Sequence, residues 1–155
     1  LAVSKGTQRS FKAGNWLYAL LAVSCIGVFS YSQYWNKKQV IQWDVTIYYA
    51  YLPAIFIYDD LHFENISTPE WGQRQFYQNT DSAGSNYLKM TCGLAMLYSP
   101  FFAGAHWYAS QSPEYLADGF SAPYRFALLL SALFFTLWGL HLLRIVLRQF
   151  FSDGV

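Results

Sequence analysis

The run Trp43-Asp44-Val45-Thr46-Ile47-Tyr48-Tyr49-Ala50-Tyr51-Leu52-Pro53-Ala54 carries a single carboxylate in an otherwise apolar and aromatic stretch. A carboxylate can take a proton from a nucleophile, and phenols can stack and hydrogen-bond beside it. If the run begins a helix, Asp44 falls in its first turn, where unpaired N–H groups favour negative charge. Tyr48 and Tyr51, four and seven residues further on, then share its face. The spacing therefore predicts a carboxylate framed by two phenols. The plainer reading of the same residues is a capping aspartate on an interfacial helix whose tyrosines form an aromatic belt. Asp59 and Asp60 follow the apolar run and either end it or add negative charge near Asp44.

The elements around these residues follow from composition. The 155 residues are 54% hydrophobic, 21% aromatic and only 12% charged, whereas a soluble domain is about a quarter charged. The apolar residues also bunch into long runs, which points to an integral membrane protein. A net charge of +1 says nothing about nucleic acid, and no basic patch with interleaved stacking residues points to such a partner. Cys25 and Cys92 lie in apolar segments and read as small buried residues, not as a disulfide or metal pair. His62, His106 and His141 have no ligand spacing.

In chain order, residues 1–14 hold Lys5, Arg9 and Lys12 and form a cytoplasmic tail by the positive-inside rule. Residues 15–35 are long enough to span a bilayer, with Trp16, Tyr18, Tyr34 and Trp35 at the two ends. A signal peptide is the rival reading, but the segment ends in bulky aromatics rather than a small-residue cleavage site. Residues 36–122 form an external loop with juxtamembrane helices near 44–58 and 89–109. Pro53 kinks the first of these. The turn-rich part, 61–88, holds the Asn65-Ile66-Ser67 sequon and a short helix near Glu70–Tyr77. Asp118-Gly119 marks a turn. Residues 123–148 are the strongest span, free of formal charge from Phe126 to Leu143 and flanked by Arg144 and Arg148. Residues 149–155 end in the cytoplasm.

The segment 89–109 contains Pro100, His106, Trp107 and Tyr108, which makes it either a poor third span or an interfacial helix. If it crosses, Arg144 and Arg148 fall outside; if it lies on the outer surface, they fall inside with Lys5, Arg9 and Lys12. The second arrangement obeys the positive-inside rule. The expected fold is thus all-α and membrane-integral, with two transmembrane helices joined by one long external loop. Helices are required because unpaired backbone is too costly in lipid, and the long apolar runs exclude the alternating strands of a barrel.

The order of parts resembles the N-terminal module of GT-C membrane glycosyltransferases, the class of oligosaccharyltransferases, protein O-mannosyltransferases and aminoarabinose transferases. Trp43-Asp44 through Tyr48-Tyr49 looks like the acidic start of their first external loop. Asn86-Tyr87-Leu88-Lys89-Met90-Thr91-Cys92-Gly93-Leu94-Ala95 looks like the segment preceding a juxtamembrane helix, departing from the pattern at Met90-Thr91, where related sequences carry proline. Ser121-Ala122-Pro123-Tyr124-Arg125 resembles the start of the second core span. More closely, Asp44…Tyr48-Tyr49-x-Tyr51-Leu52-Pro53-Ala54, Gly93-Leu94-Ala95…Pro100-Phe101-Phe102…Ala105-His106 and Asp118-Gly119-Phe120-Ser121 look like a bacterial family of such transferases. The resemblance covers residues 10 to 150.

It implies transfer of a sugar from a polyprenyl-phosphate donor to an acceptor on the outer face of the bacterial inner membrane, with the N-terminus cytoplasmic. Asp44 is then the catalytic carboxylate. Lys89 or Arg125 holds the departing phosphate, and Tyr48 and Tyr51 contact the sugar. Some members use a divalent cation such as Mg or Mn, for which Asp44 with Asp59 or Asp60 supplies oxygens. The remaining spans belong to a longer chain or to other membrane subunits. Two other readings stay open: a non-catalytic membrane subunit with an aromatic contact surface, and a transporter or flippase fragment, which predicts polar residues inside the spans. The resemblance implies that intact mass measured from the native membrane gives a species of several hundred residues. A species of 155 residues favours the subunit.

Overall fold

The computed structural model describes residues 6–64 and 78–150. The expected helix near Glu70–Tyr77, the Asn65 sequon, Lys5 and the segment 151–155 lie outside the described residues. Helices dominate: α1 (Gly6–Ser32), α2 (Asp44–Tyr49), α3 (Tyr51–Pro53), α4 (Gly93–Gln111) and α5 (Ala122–Phe150). Short 3₁₀ turns occupy Tyr34–Asn36 and Lys38–Val40, and a π-helical turn occupies Ala54–Tyr58. The exception to the expected all-α class is a small antiparallel hairpin, β1 (Gln78–Thr80) with β2 (Asn86–Leu88), in register Asn79 opposite Tyr87. Its loop is closed by Asp81, whose carboxylate accepts from the N–H groups of Ala83 and Ser85.

The chain divides into two compact units. The first combines α1 with the part of α5 from Ala132 onward. The Tyr18 hydroxyl donates to the Leu137 carbonyl at 3.0 Å, and the Tyr18 ring lies 5.9 Å from that of His141. At one end Arg148 Nη2 lies 3.5 Å from Asn15 Oδ1. These pairings run in opposite directions along the two helices, so α1 and this part of α5 are antiparallel. His141 therefore packs against an aromatic ring. Trp16, Leu17, Val23, Val28, Trp138 and Leu142 point outward. Two described helical segments, Asn15–Asn36 and Ala122–Phe150, are long and apolar enough to cross a membrane. Helix α1 stops at Ser32, short of the expected Trp35, because Gln33 takes a left-handed φ of 43°.

The second unit is residues 34–131. The run from Asp44 to Tyr58 is helical but broken, as Pro53 requires. Proline offers no N–H, and the chain after it widens to a π-type turn that ends at Asp59 in a left-handed conformation, φ 48° and ψ 41°. Asp59 thus ends the apolar run. Asp60 is buried, and its carboxylate accepts the Glu64 N–H at 3.0 Å. Helix α4 tolerates Pro100 by local compensation. The Met96 carbonyl, which Pro100 cannot serve, accepts the Ser99 hydroxyl at 2.8 Å. Helix α5 begins with Ala122-Pro123, and proline is preorganised for a first turn.

The core of this unit is aromatic. Tyr49, Tyr124, Phe63 and Phe120 are among its largest fully buried side chains. Tyr49 sits 5.9 Å from both Phe102 and Phe120, and its hydroxyl donates to the Gly119 carbonyl. The Tyr58 hydroxyl donates to the neighbouring Asp118 carbonyl at 3.0 Å. The Asp118 side chain closes the turn by accepting the N–H groups of Phe120 and Ser121, each at 2.8 Å. Gly119 has φ +80°, and a Cβ there would lie 2.8 Å from Pro53 Cβ. The expected Asp118-Gly119 turn is therefore also the place where the loop meets the Pro53 ring.

Gly119 and Gly84 separate conformation from packing. Both have positive φ, but a Cβ on Gly84 meets nothing within 4 Å. Gly84→Ala is expected to cost about 1 kcal/mol, and Gly119→Ala roughly 1–3 kcal/mol more, the usual range for overpacking. Thermal or denaturant unfolding of the two variants in one detergent checks this. Equal losses would mean that the Pro53 contact yields freely.

Candidate functional site

Asp44 opens α2, as its spacing predicts, and its side chain is exposed. The residue before it departs from ordinary geometry. Trp43 has φ 54° and ψ −133°, a conformation strained for any residue with a Cβ. Its indole is 65% exposed, so burial of the ring does not offset the strain. Among the described residues none hydrogen-bonds to or ion-pairs with the Asp44 carboxylate. The other aspartates differ. Asp60, Asp81 and Asp118 each close a turn with their carboxylate oxygens, and Asp59 is the left-handed residue that ends a helical turn.

The two predicted phenols have different surroundings. Tyr48, one turn beyond Asp44, is half-buried and makes no hydrogen bond among the described residues. Tyr51 is committed to structure. Its hydroxyl donates to the Met90 carbonyl at 2.7 Å, and its ring meets Phe63 edge-on at 5.6 Å. This ties α3 to the segment between β2 and α4. Burial, with a smaller contribution from Cys92, raises the Tyr51 pKa above the ordinary tyrosine value. Tyr49, which the spacing argument leaves off the Asp44 face, is the deeply buried phenol of the three.

The predicted cations also divide. Lys89 follows β2 and is exposed, with no hydrogen bond or ion pair among the described residues. Arg125, in the first turns of α5, is partly buried. Its Nε donates to the Trp35 carbonyl at 2.7 Å and its Nη1 to the Phe120 carbonyl at 2.8 Å. It thereby fastens the 3₁₀ turn at Tyr34–Asn36 to the start of α5. Neither cation is ion-paired with Asp44. The three aspartates proposed for a cation are not gathered into a ligand set: among the described residues no three His, Cys, Asp or Glu side chains stand together. Cys25 and Cys92 are both free thiols, and each is partly exposed rather than buried as the sequence suggests.

One feature lies outside the sequence reading. A hollow of about 580 Å³ opens between the Trp35–Asn36 turn, α4 and the start of α5. Gly104, Ala105, Ala122 and Ala127 leave room in it, and Trp35, Phe101, Tyr108 and Phe126 are among the aromatic residues that line it. The available signal was the spacing Pro100, Gly104, Tyr108, which puts a small residue between two bulky ones on one face of α4. No protein-family model matches this chain, and no curated protein and no solved structure matches it.

The Tyr51 hydrogen bond has a pH consequence. Its folded pKa is raised, so its stabilising contribution is complete below the ordinary tyrosine pKa of about 10 and is lost as pH rises through the folded value. Tyr51→Phe is expected to flatten the loss of stability above about pH 10, read as unfolding midpoints of variant and parent against pH. Parallel profiles would remove Tyr51 from that loss.

Proposed function

We propose that this chain is the membrane-anchored N-terminal module of a GT-C-type glycosyltransferase, with Asp44 as the catalytic carboxylate. The observation that carries the reading is the state of Asp44. It is exposed and held by no described partner, and it opens a helix directly after a strained backbone residue, whereas the carboxylates of Asp60, Asp81 and Asp118 close turns. Strained backbone clusters at functional sites because the surrounding fold must hold it. The antiparallel pairing of α1 with the part of α5 from Ala132 onward supports two spans whose outer ends lie on one side. By the positive-inside rule the termini are cytoplasmic, and Asp44 works on the outer face of a bacterial inner membrane.

In this mechanism the Asp44 carboxylate accepts the proton of an acceptor hydroxyl. The acceptor oxygen bonds to the anomeric carbon of the sugar, and the bond from that carbon to the polyprenyl phosphate breaks, leaving its electron pair on the phosphate. Tyr48, one turn away and not engaged by hydrogen bonds among the described residues, is placed to contact the sugar. Lys89 is the better placed of the two cations to meet a phosphate, since two Arg125 donors already hold backbone carbonyls. No step is routed through a divalent cation; a bound one would take its oxygens from Asp44 with Asp59 or Asp60.

A specific observation also favours the second reading, a non-catalytic membrane subunit. Tyr49, Pro53, Phe102, Gly119 and Phe120 carry much of the sequence pattern, and they meet in the core. Packing alone accounts for them. Asp44→Asn, made in the full-length protein at matched membrane abundance, separates the two readings. Loss of sugar transfer by about 10²–10⁴-fold is expected for a general base. Wild-type transfer would remove the catalytic role and leave the subunit.

A further inference from the structure

The 580 Å³ hollow beside Trp35 is not used by the catalytic reading. We infer that it is a binding groove for one hydrocarbon chain of a membrane lipid. The inference rests on the membrane placement proposed above and is independent of any role for Asp44.

Three observations support it. The volume falls in the range of sites that enclose a ligand. Its lining is mostly aliphatic and aromatic, with the Asn36 amide, the Trp35 indole N–H and the Tyr108 and Tyr115 hydroxyls as its polar side-chain groups. One wall belongs to α5, through Ala122, Phe126 and Leu130, and α5 is apolar and long enough to cross a bilayer. Volume also decides between apolar occupants. A helix fills a cylinder about 10 Å across and rises about 1.5 Å per residue. The hollow would therefore seat only about five residues of helix, little more than one turn. A single hydrocarbon chain needs no partner hydrogen bonds and suits a lining that is mostly aliphatic and aromatic.

Gly104 gives the test. It lines the groove, and a Cβ built on it meets nothing within 4 Å. A leucine there grows into the groove without disturbing the helix. The chain is reconstituted in phosphatidylcholine nanodiscs doped with phosphatidylcholine that bears a diazirine at the end of one acyl chain. After irradiation, adducts are mapped by mass spectrometry. Labelling at Phe101, Tyr108 and Phe126 is expected to exceed that at the exposed Leu17 and Leu142. Gly104→Leu should lower groove labelling about tenfold, equivalent to ~1.4 kcal/mol of affinity, and leave Leu17 and Leu142 labelling and helical circular dichroism unchanged. If Gly104→Leu fails to fold, Leu130→Trp fills the same groove from a residue that is already 36% exposed. Uniform labelling that neither variant changes overturns the inference. So does groove labelling that disappears in the full-length protein, because a helix of that protein would then be the occupant. Loss of groove labelling in a variant that still transfers sugar would separate this site from Asp44, whereas loss of transfer in Asp44→Asn with groove labelling intact would not bear on the lipid.

Discussion

The approach of Gly119 to Pro53 is the constraint on which the second unit depends. A residue with a Cβ fits neither the +80° φ nor the space beside the proline ring. With the approach in place, the Gly119 carbonyl meets the Tyr49 hydroxyl and the Asp118 carbonyl meets that of Tyr58. Two helical segments are thereby hydrogen-bonded to a loop sixty to seventy residues further along the chain. Buried phenols must find acceptors, since an unsatisfied hydroxyl costs on the order of 1–3 kcal/mol. The loop supplies them from its backbone, which leaves the Asp118 carboxylate to hold the turn itself.

From this knot the packing extends outward through aromatic rings. Phe102 of α4 lies against Tyr49 on one side and 5.2 Å from Tyr124 on the other. The Tyr124 hydroxyl in turn lies 2.6 Å from His106 Nδ1. Arg125, the next residue of α5, reaches back to the Trp35 carbonyl. Part of the aromatic richness of the sequence thus forms an internal core. Asp44 and Trp43 stand outside that core, and the strain at Trp43 lies next to a rigid set of contacts able to sustain it.

The same packing bears on how the sequence pattern is weighed. Tyr49, Pro53, Phe102 and Gly119 form the least ambiguous part of the resemblance, and each has a complete structural explanation. Asp44 has none, because nothing in the described structure uses its carboxylate. A functional argument is therefore stronger at Asp44 than at the residues that make the pattern recognisable, and weaker at Tyr51 and Arg125, whose polar groups are engaged with backbone.

The sequence by itself determined the helical class, the two long apolar segments, the break at Pro53 and the turn at Asp118-Gly119. These depend on length, hydropathy and local backbone chemistry, which a chain carries wherever it folds. The hairpin at 78–88 was legible only as a turn-rich stretch, because three-residue strands show no period. The tertiary structure alone decided that Tyr49 is buried while Tyr48 is not, that Tyr51 serves the Met90 carbonyl, and that Arg125 is a clasp. It also decided which aspartates close turns, and it opened the groove beside Trp35. Those outcomes turn on partners 39 to 90 residues away. Helical spacing fixes which side chains share a face, but what that face meets is set by the approach of distant elements.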